Sequence, residues 1–151
     1  MKTIRHGVFE TNSSSSHSIS ISRLTDGIYD TIPPDKNGII KLSGGQYGWE
    51  WETYSLSIDK ANYAATFAKD SKEQLNILAE VIKDHTGARK VKYDFGTDDY
   101  CAYIDHQSAA TETSAEFFNS KKSLKDFLFN PKSYVRTGND NSEDPLSDWE
   151  K

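Results

Sequence analysis

Cysteine is almost missing from this sequence. Cys101 stands alone among 151 residues, which excludes an internal disulfide and fits a reducing cytoplasm. Long apolar runs are missing as well: no stretch approaches the roughly 20 residues a membrane helix needs. The opening MKTIRHGVFE carries charges where a secretory signal has its apolar centre. The expectation is a soluble cytoplasmic protein with no membrane partner. Apolar residues make up only 35 %. Disorder is still excluded, because three Trp, eight Tyr and seven Phe are far more than a disordered chain carries. Positive charge is in deficit: the net charge is −5, and most of it sits in the final segment GNDNSEDPLSDWEK. A near-neutral body makes nucleic acid an unexpected partner for the main surface. The catalytic signatures are absent too: no Gly-rich dinucleotide loop, no P-loop, no Cys-x-x-Cys and no His-Glu-x-x-His.

What is present is a series of short elements. Ile4, His6 and Val8 alternate with Thr3, Arg5, Gly7 and Phe9, and SISIS sets Ile19 and Ile21 on one face; both read as strands, joined hairpin-fashion by the serine-rich ETNSSSSHS. GIYDTI and GIIKL flank PPDKNG, a second hairpin by its turn residues. KVKYDF and YCAYID around GTDD read as a third. The longest helical pattern starts with Asp59 as a cap and runs to about Lys69. Ser71 and Gln74 then form a capping box, Leu75, Leu78, Ala79 and Ile82 repeat at helical spacing, and Gly87 closes. One kinked helix and two helices fit equally. Thr113 with Glu116 opens a short helix, Leu124, Phe127 and Leu128 share a face of the next, Asn130-Pro131 ends it, and SYVRTG reads as a last strand. The fold class is α+β: a mostly antiparallel sheet of hairpins packed against one long helix and a shorter C-terminal helix. The expected organisation is one domain over residues 1–137 and an acidic tail over 138–151.

The chemistry-bearing candidates are few. In ETNSSSSHS the side chains of Glu10, Asn12, Ser13, Ser14, Ser15 and Ser16, with turn amides and the charge of Arg5 or His17, could ring a phosphate. The bland alternative is a polar loop satisfying its own backbone. The sharper expectation is an ordered loop lining the main polar pocket. His17 and His106 are the candidates for acid–base catalysis. Asp105 and His106 are strand neighbours and point to opposite faces, so His106 would need His17, Glu10 or Asp140 as its partner. Cys101, Asp105, His106 and His17 are metal-ligand types without ligand spacing, so neither metal nor cofactor is expected. Tyr47, Trp49 and Trp51 form an aromatic stripe that is either core or a partner platform, and Trp149 could anchor a partner from the acidic tail. Lys121, Lys122, Lys125 and Lys132 form a basic patch that reads as a solvated face.

RHGVFETNSSSSHS resembles the opening of a group of small uncharacterised proteins of tailed phages and prophages. YGWEW, YIDHQS and FLFNPKSYVRTGNDN look like later blocks of the same group, in the same order. The resemblance implies a phage-type accessory protein acting in the bacterial cytoplasm; it carries no activity and no catalytic residue. The leading expectation is a non-enzymatic protein that binds a host macromolecule, a host protein foremost, as a host-takeover or anti-defence factor. The alternatives are a small nucleotide or phosphoester enzyme or sensor built on the serine stretch with His17 and His106, and a virion or assembly component.

Overall fold

The computed structural model describes residues 15–23, 28–47, 51–97, 101–104 and 115–139. Among the described residues are seven strands and three α-helices, in the order β1 (Ser15–Ser20), β2 (Ile39–Leu42), β3 (Gln46–Tyr47), β4 (Glu52–Tyr54), α1 (Ser57–Ala68), α2 (Lys72–Thr86), β5 (Lys90–Tyr93), β6 (Tyr103–Ile104), α3 (Lys121–Phe129) and β7 (Tyr134–Asn139). The class is α+β. One sheet is antiparallel, in the order β1-β7-β4; β2 pairs with β5 and β3 with β6, both in parallel.

Two expected hairpins are replaced by these parallel pairs. Pro33 and Pro34 have no N–H to offer a ladder. Asp35 Oδ1 instead accepts from Asn37 N at 2.8 Å and Ile39 N at 3.0 Å, and Gly38 turns the chain with φ 78°. The segment before the prolines leaves β2 and docks on the helices, with Asp30 N donating to Phe129 O at 2.7 Å. β2 then finds β5 across a connection that contains α1 and α2, as parallel pairing requires. Likewise Tyr103–Ile104 pairs with β3 and not with β5.

ETNSSSSHS is not one loop. Ser15, Ser16, His17 and Ser18 already belong to β1, opposite Asn139, Gly138, Thr137 and Arg136 of β7. The expected tail boundary at 137 falls inside that same ladder, which runs to Asn139. The expected strand over 3–9, residues 10–14 of the serine stretch, and the tail beyond Asn139 lie outside the described residues, as does Thr113. A single 3₁₀ turn, Ala115–Phe118, stands where a short helix was expected.

α1 and α2 are separate helices. Asp59 does not cap α1; it sits in the first turn, and Leu56 occupies the cap position. Ser71 caps α2 by accepting from Gln74 N at 3.2 Å, and Gly87 closes it in the left-handed region. Ser120 caps α3 through Ser123 N at 3.0 Å. The inner face of α1 is mostly small, with Ala61, Ala64, Ala65 and Ala68 fully buried beside Tyr63. Small residues let α2 and α3 approach closely. Leu78 and Ile82 of α2, and Leu124, Phe127 and Leu128 of α3, complete the core with Leu42, Ile104 and Val135 from the sheets. Phe117 stacks on Phe127 with ring centres 4.5 Å apart.

Candidate functional site

A cleft opens in front of α1. It has a volume of about 470 Å³ and is lined by Tyr29 to Pro33 on one side and Leu56, Ser57 and Ile58 on the other. Its lip is unusual for a surface: Leu56 is 62 % exposed and Ile58 37 % exposed. Between them Ser57 is only 5 % exposed, and its hydroxyl has no hydrogen-bond partner among the described residues. Buried hydroxyls nearly always find one.

The helix end itself is bare. Leucine has no side-chain acceptor, so no side chain caps α1. The first intrahelical bond is from Lys60 N to Leu56 O at 2.9 Å. The N–H groups of Ser57, Ile58 and Asp59 therefore point out of the first turn unpaired by the helix, at its positive end.

Beneath this turn lies Lys60, fully buried. Its Nζ donates to Asn130 O and Ser133 O, both at 2.9 Å. Burial lowers its pKa to about 8, partly offset by the nearby charge of Asp30. Asp30 is held from both sides: its N–H donates to Phe129 O, and its carbonyl accepts from His85 Nε2 at 2.8 Å. Tyr29 continues the wall, donating to the buried Asp126 Oδ1 at 2.7 Å, with Lys122 on the same carboxylate at 2.9 Å. The bond to Asp126 raises the pKa of both the Tyr29 hydroxyl and the Lys122 amine. Lys125 lies over the Tyr29 ring at 4.7 Å. These contacts tie Tyr29 and Asp30 to α2 and α3.

The residues singled out in the sequence fall elsewhere. Ser15, Ser16 and His17 are in β1. Thr137 of β7 stands between His17 of β1 and Glu52 of β4 in the register, and its buried hydroxyl has no partner among the described residues. Tyr47 is core: it is 5 % exposed and packs edge-on against Tyr54 and Tyr63. This burial raises its hydroxyl pKa strongly, so it is no partner platform. Trp51 is half-buried, lies over Gly138, and carries Arg136 4.7 Å above its ring. Cys101 is exposed, and no group of three potential metal ligands occurs among the described residues. The basic patch is partly paired, Lys121 with Glu80 at 3.0 Å and Lys122 with Asp126. Arg5, Glu10, Asn12, Ser13, Ser14, Trp49, Asp105, His106, Asp140 and Trp149 lie outside the described residues.

Sequence reasoning missed Ser57, Lys60 and Leu56. Leu56 and Ile58 flank Ser57 at the helix start and Lys60 precedes an alanine-rich face, but neither pattern marks a site in the sequence alone. No helix among the described residues is long and apolar enough to cross a membrane. No protein-family model matches the chain, and no curated protein or solved structure matches it either.

Proposed function

We propose that the protein is a small phage-type binding factor that works in the bacterial cytoplasm and engages a host protein through the cleft before α1. One observation carries this reading: Leu56 and Ile58 are held in solvent on either side of a buried hydroxyl without a partner. Exposed apolar side chains beside a concave site are what a partner segment covers. The anchoring of Tyr29 and Asp30 in the cleft wall supports it, since a side that is already held loses less entropy on binding. The four sequence blocks that resemble phage proteins supply the context.

The test compares the wild-type chain with the double variant Leu56→Ser/Ile58→Ser as bait in bacterial lysate, with captured proteins identified by mass spectrometry. A protein retained by the wild type and lost by the variant is expected. Identical captures from both would refute the role of the cleft.

A second reading, a nucleotide or phosphoester site on β1, is favoured by the row His17–Thr137–Glu52 across three strands. Its test is a titration with mononucleotides followed at the His17 ring protons by NMR. A saturable shift that Thr137→Val abolishes would support it; unshifted resonances would remove it.

A further inference from the structure

We propose that the outward face of the β2–β5 pair docks on the phosphate backbone of double-stranded nucleic acid. This goes beyond the protein-binding reading above and does not involve the cleft. The register decides which side chains share the face. Ile39 lies opposite Lys90 and Lys41 opposite Lys92, while Ile40, Leu42 and Val91 at the alternate positions are buried in the core. Lys41, Lys90 and Lys92 are exposed, and Ile39, half-buried, is the apolar member of the set.

The chain as a whole carries a net charge of −5, so its composition gives no reason to expect such a partner. The fold gathers positive charge locally. Residues 36–41 and 89–92 meet at this pair and bring together Lys36, Lys41, Arg89, Lys90 and Lys92 without one acid. Arg89 is tied to the turn at the end of the pair, its N–H donating to Gly38 O at 2.7 Å and its Nε to Asn37 O at 3.2 Å. Two acids border the patch. Asp35 is engaged in the turn, where its carboxylate accepts from Asn37 N and Ile39 N. Asp94 reaches Lys41 at 3.9 Å, an exposed pair of the kind that contributes little. Lys90 and Lys92 have no carboxylate partner among the described residues.

The pairing of Lys41 with Lys92 gives the strongest argument. Like charges directly opposite on a ladder destabilise it. A lysine can guard an open strand against stray pairing, but one charge serves that purpose. Here Lys92 has a second lysine directly opposite and a third, Lys90, about 7 Å along its own strand. Phosphates relieve this repulsion and release their counterions as they do so. The chemistry of the face selects the ligand. Its described residues include no aromatic ring, and they line neither the cleft before α1 nor the one between α2 and α3. A protein partner anchors itself through aromatics and pockets, and a single strand stacks its bases on rings. A duplex backbone needs point charges, which lysine supplies.

The experiment is a fluorescence-anisotropy titration of a short labelled DNA duplex with the full chain, repeated from about 50 to about 200 mM salt. Micromolar affinity is expected at the low end. With three lysines on phosphates, log K should fall against log salt with a slope of about −2.7. Lys90→Gln/Lys92→Gln should weaken binding about tenfold or more and bring the slope to about −0.9. Lys121→Gln/Lys125→Gln makes the same change of net charge on the other basic patch and should leave affinity and slope as they are. Lys92→Glu gives Lys41 an opposite charge, so the melting temperature should rise while binding falls, which separates a lost contact from a lost fold. No binding up to about 100 µM, the weak end of non-specific affinities, would overturn the proposal. So would a flat salt dependence, or equal losses from the two double variants. Tighter binding of a single strand of the same length would overturn the duplex as ligand. Polyglutamate competing as well as unlabelled duplex of equal charge would give the face to an acidic protein segment and overturn the nucleic acid.

Discussion

Three residues at the amino end of α1, its cap position included, break local rules, and each break has a measurable consequence. Leu56 occupies a cap position that polar residues normally hold. Leu56→Asp should therefore raise stability by about 1 kcal/mol, seen as a higher midpoint in urea, while binding is lost. A variant that gains stability as it loses binding separates a functional leucine from a structural one. Ser57→Ala removes a buried hydroxyl that bonds to nothing described, so its melting temperature should stay the same or rise. A marked fall would mean that the hydroxyl has a partner in the folded chain. Lys60 gives a pH signature. Its folded pKa, about 8, lies below the ordinary lysine value of 10.5. Between those values the unfolded chain holds a proton that the folded chain lacks, so stability rises with pH there, at about 1.4 kcal/mol per unit where the difference is complete. Tyr47 and Tyr93 act oppositely, because burial raises both above 10.0 and folding then opposes their ionisation. Urea midpoints should climb from pH 8 toward pH 10 and fall beyond it, and Lys60→Met should remove the climb. None of these three roles was legible in the sequence. A capping residue is recognised by its polarity, so an apolar one in that place sends no signal. Lys60 reads as a surface lysine until α3 and β7 close over it.

The elements were legible where local chemistry decides them. Ser71 with Gln74, Gly87, the apolar face of α3 and the stop at Asn130-Pro131 all stand where the sequence set them. Strand pairing was not legible, because it depends on partners distant in the chain. The turn at Asp35–Gly38 is real, yet the residues before it bind α3 in place of β2. The turn after α3 is the polar hub that fixes β7. Ser133 Oγ accepts from Ser22 N at 2.8 Å and donates to Asp126 O at 2.8 Å, while Asn130 Nδ2 donates to Ser22 O at 2.8 Å. Ser133→Ala leaves the Ser22 N–H without that acceptor and should cost about 1–3 kcal/mol, measured by urea unfolding. Gly138 is required for another reason. A Cβ there would fall within the Trp51 ring. Gly138→Ala should therefore dislodge Trp51 from its seat against Arg136, shift tryptophan emission to the red, and destabilise by about 1–3 kcal/mol.

At the scale of the whole molecule, the composition already excluded a disulfide scaffold and a membrane helix, and the α+β class followed from element types. The cleft did not follow, because residues 29–33 and 56–58 meet only once α3 draws Asp30 inward through Phe129. The serine stretch asked for attention by composition, and part of it proves to be strand. The site with the clearest physical anomalies uses a single serine instead. Near-neutral charge outside the acidic end fits a protein that finds its partner by apolar fit more than by long-range steering. The most direct measurement is photocrosslinking in living bacteria with a benzoylphenylalanine at position 56, beside a control at Glu80, an exposed residue of α2. The account predicts one discrete crosslinked partner from position 56 and none from position 80. The same adducts from both positions, or none from position 56, would contradict it.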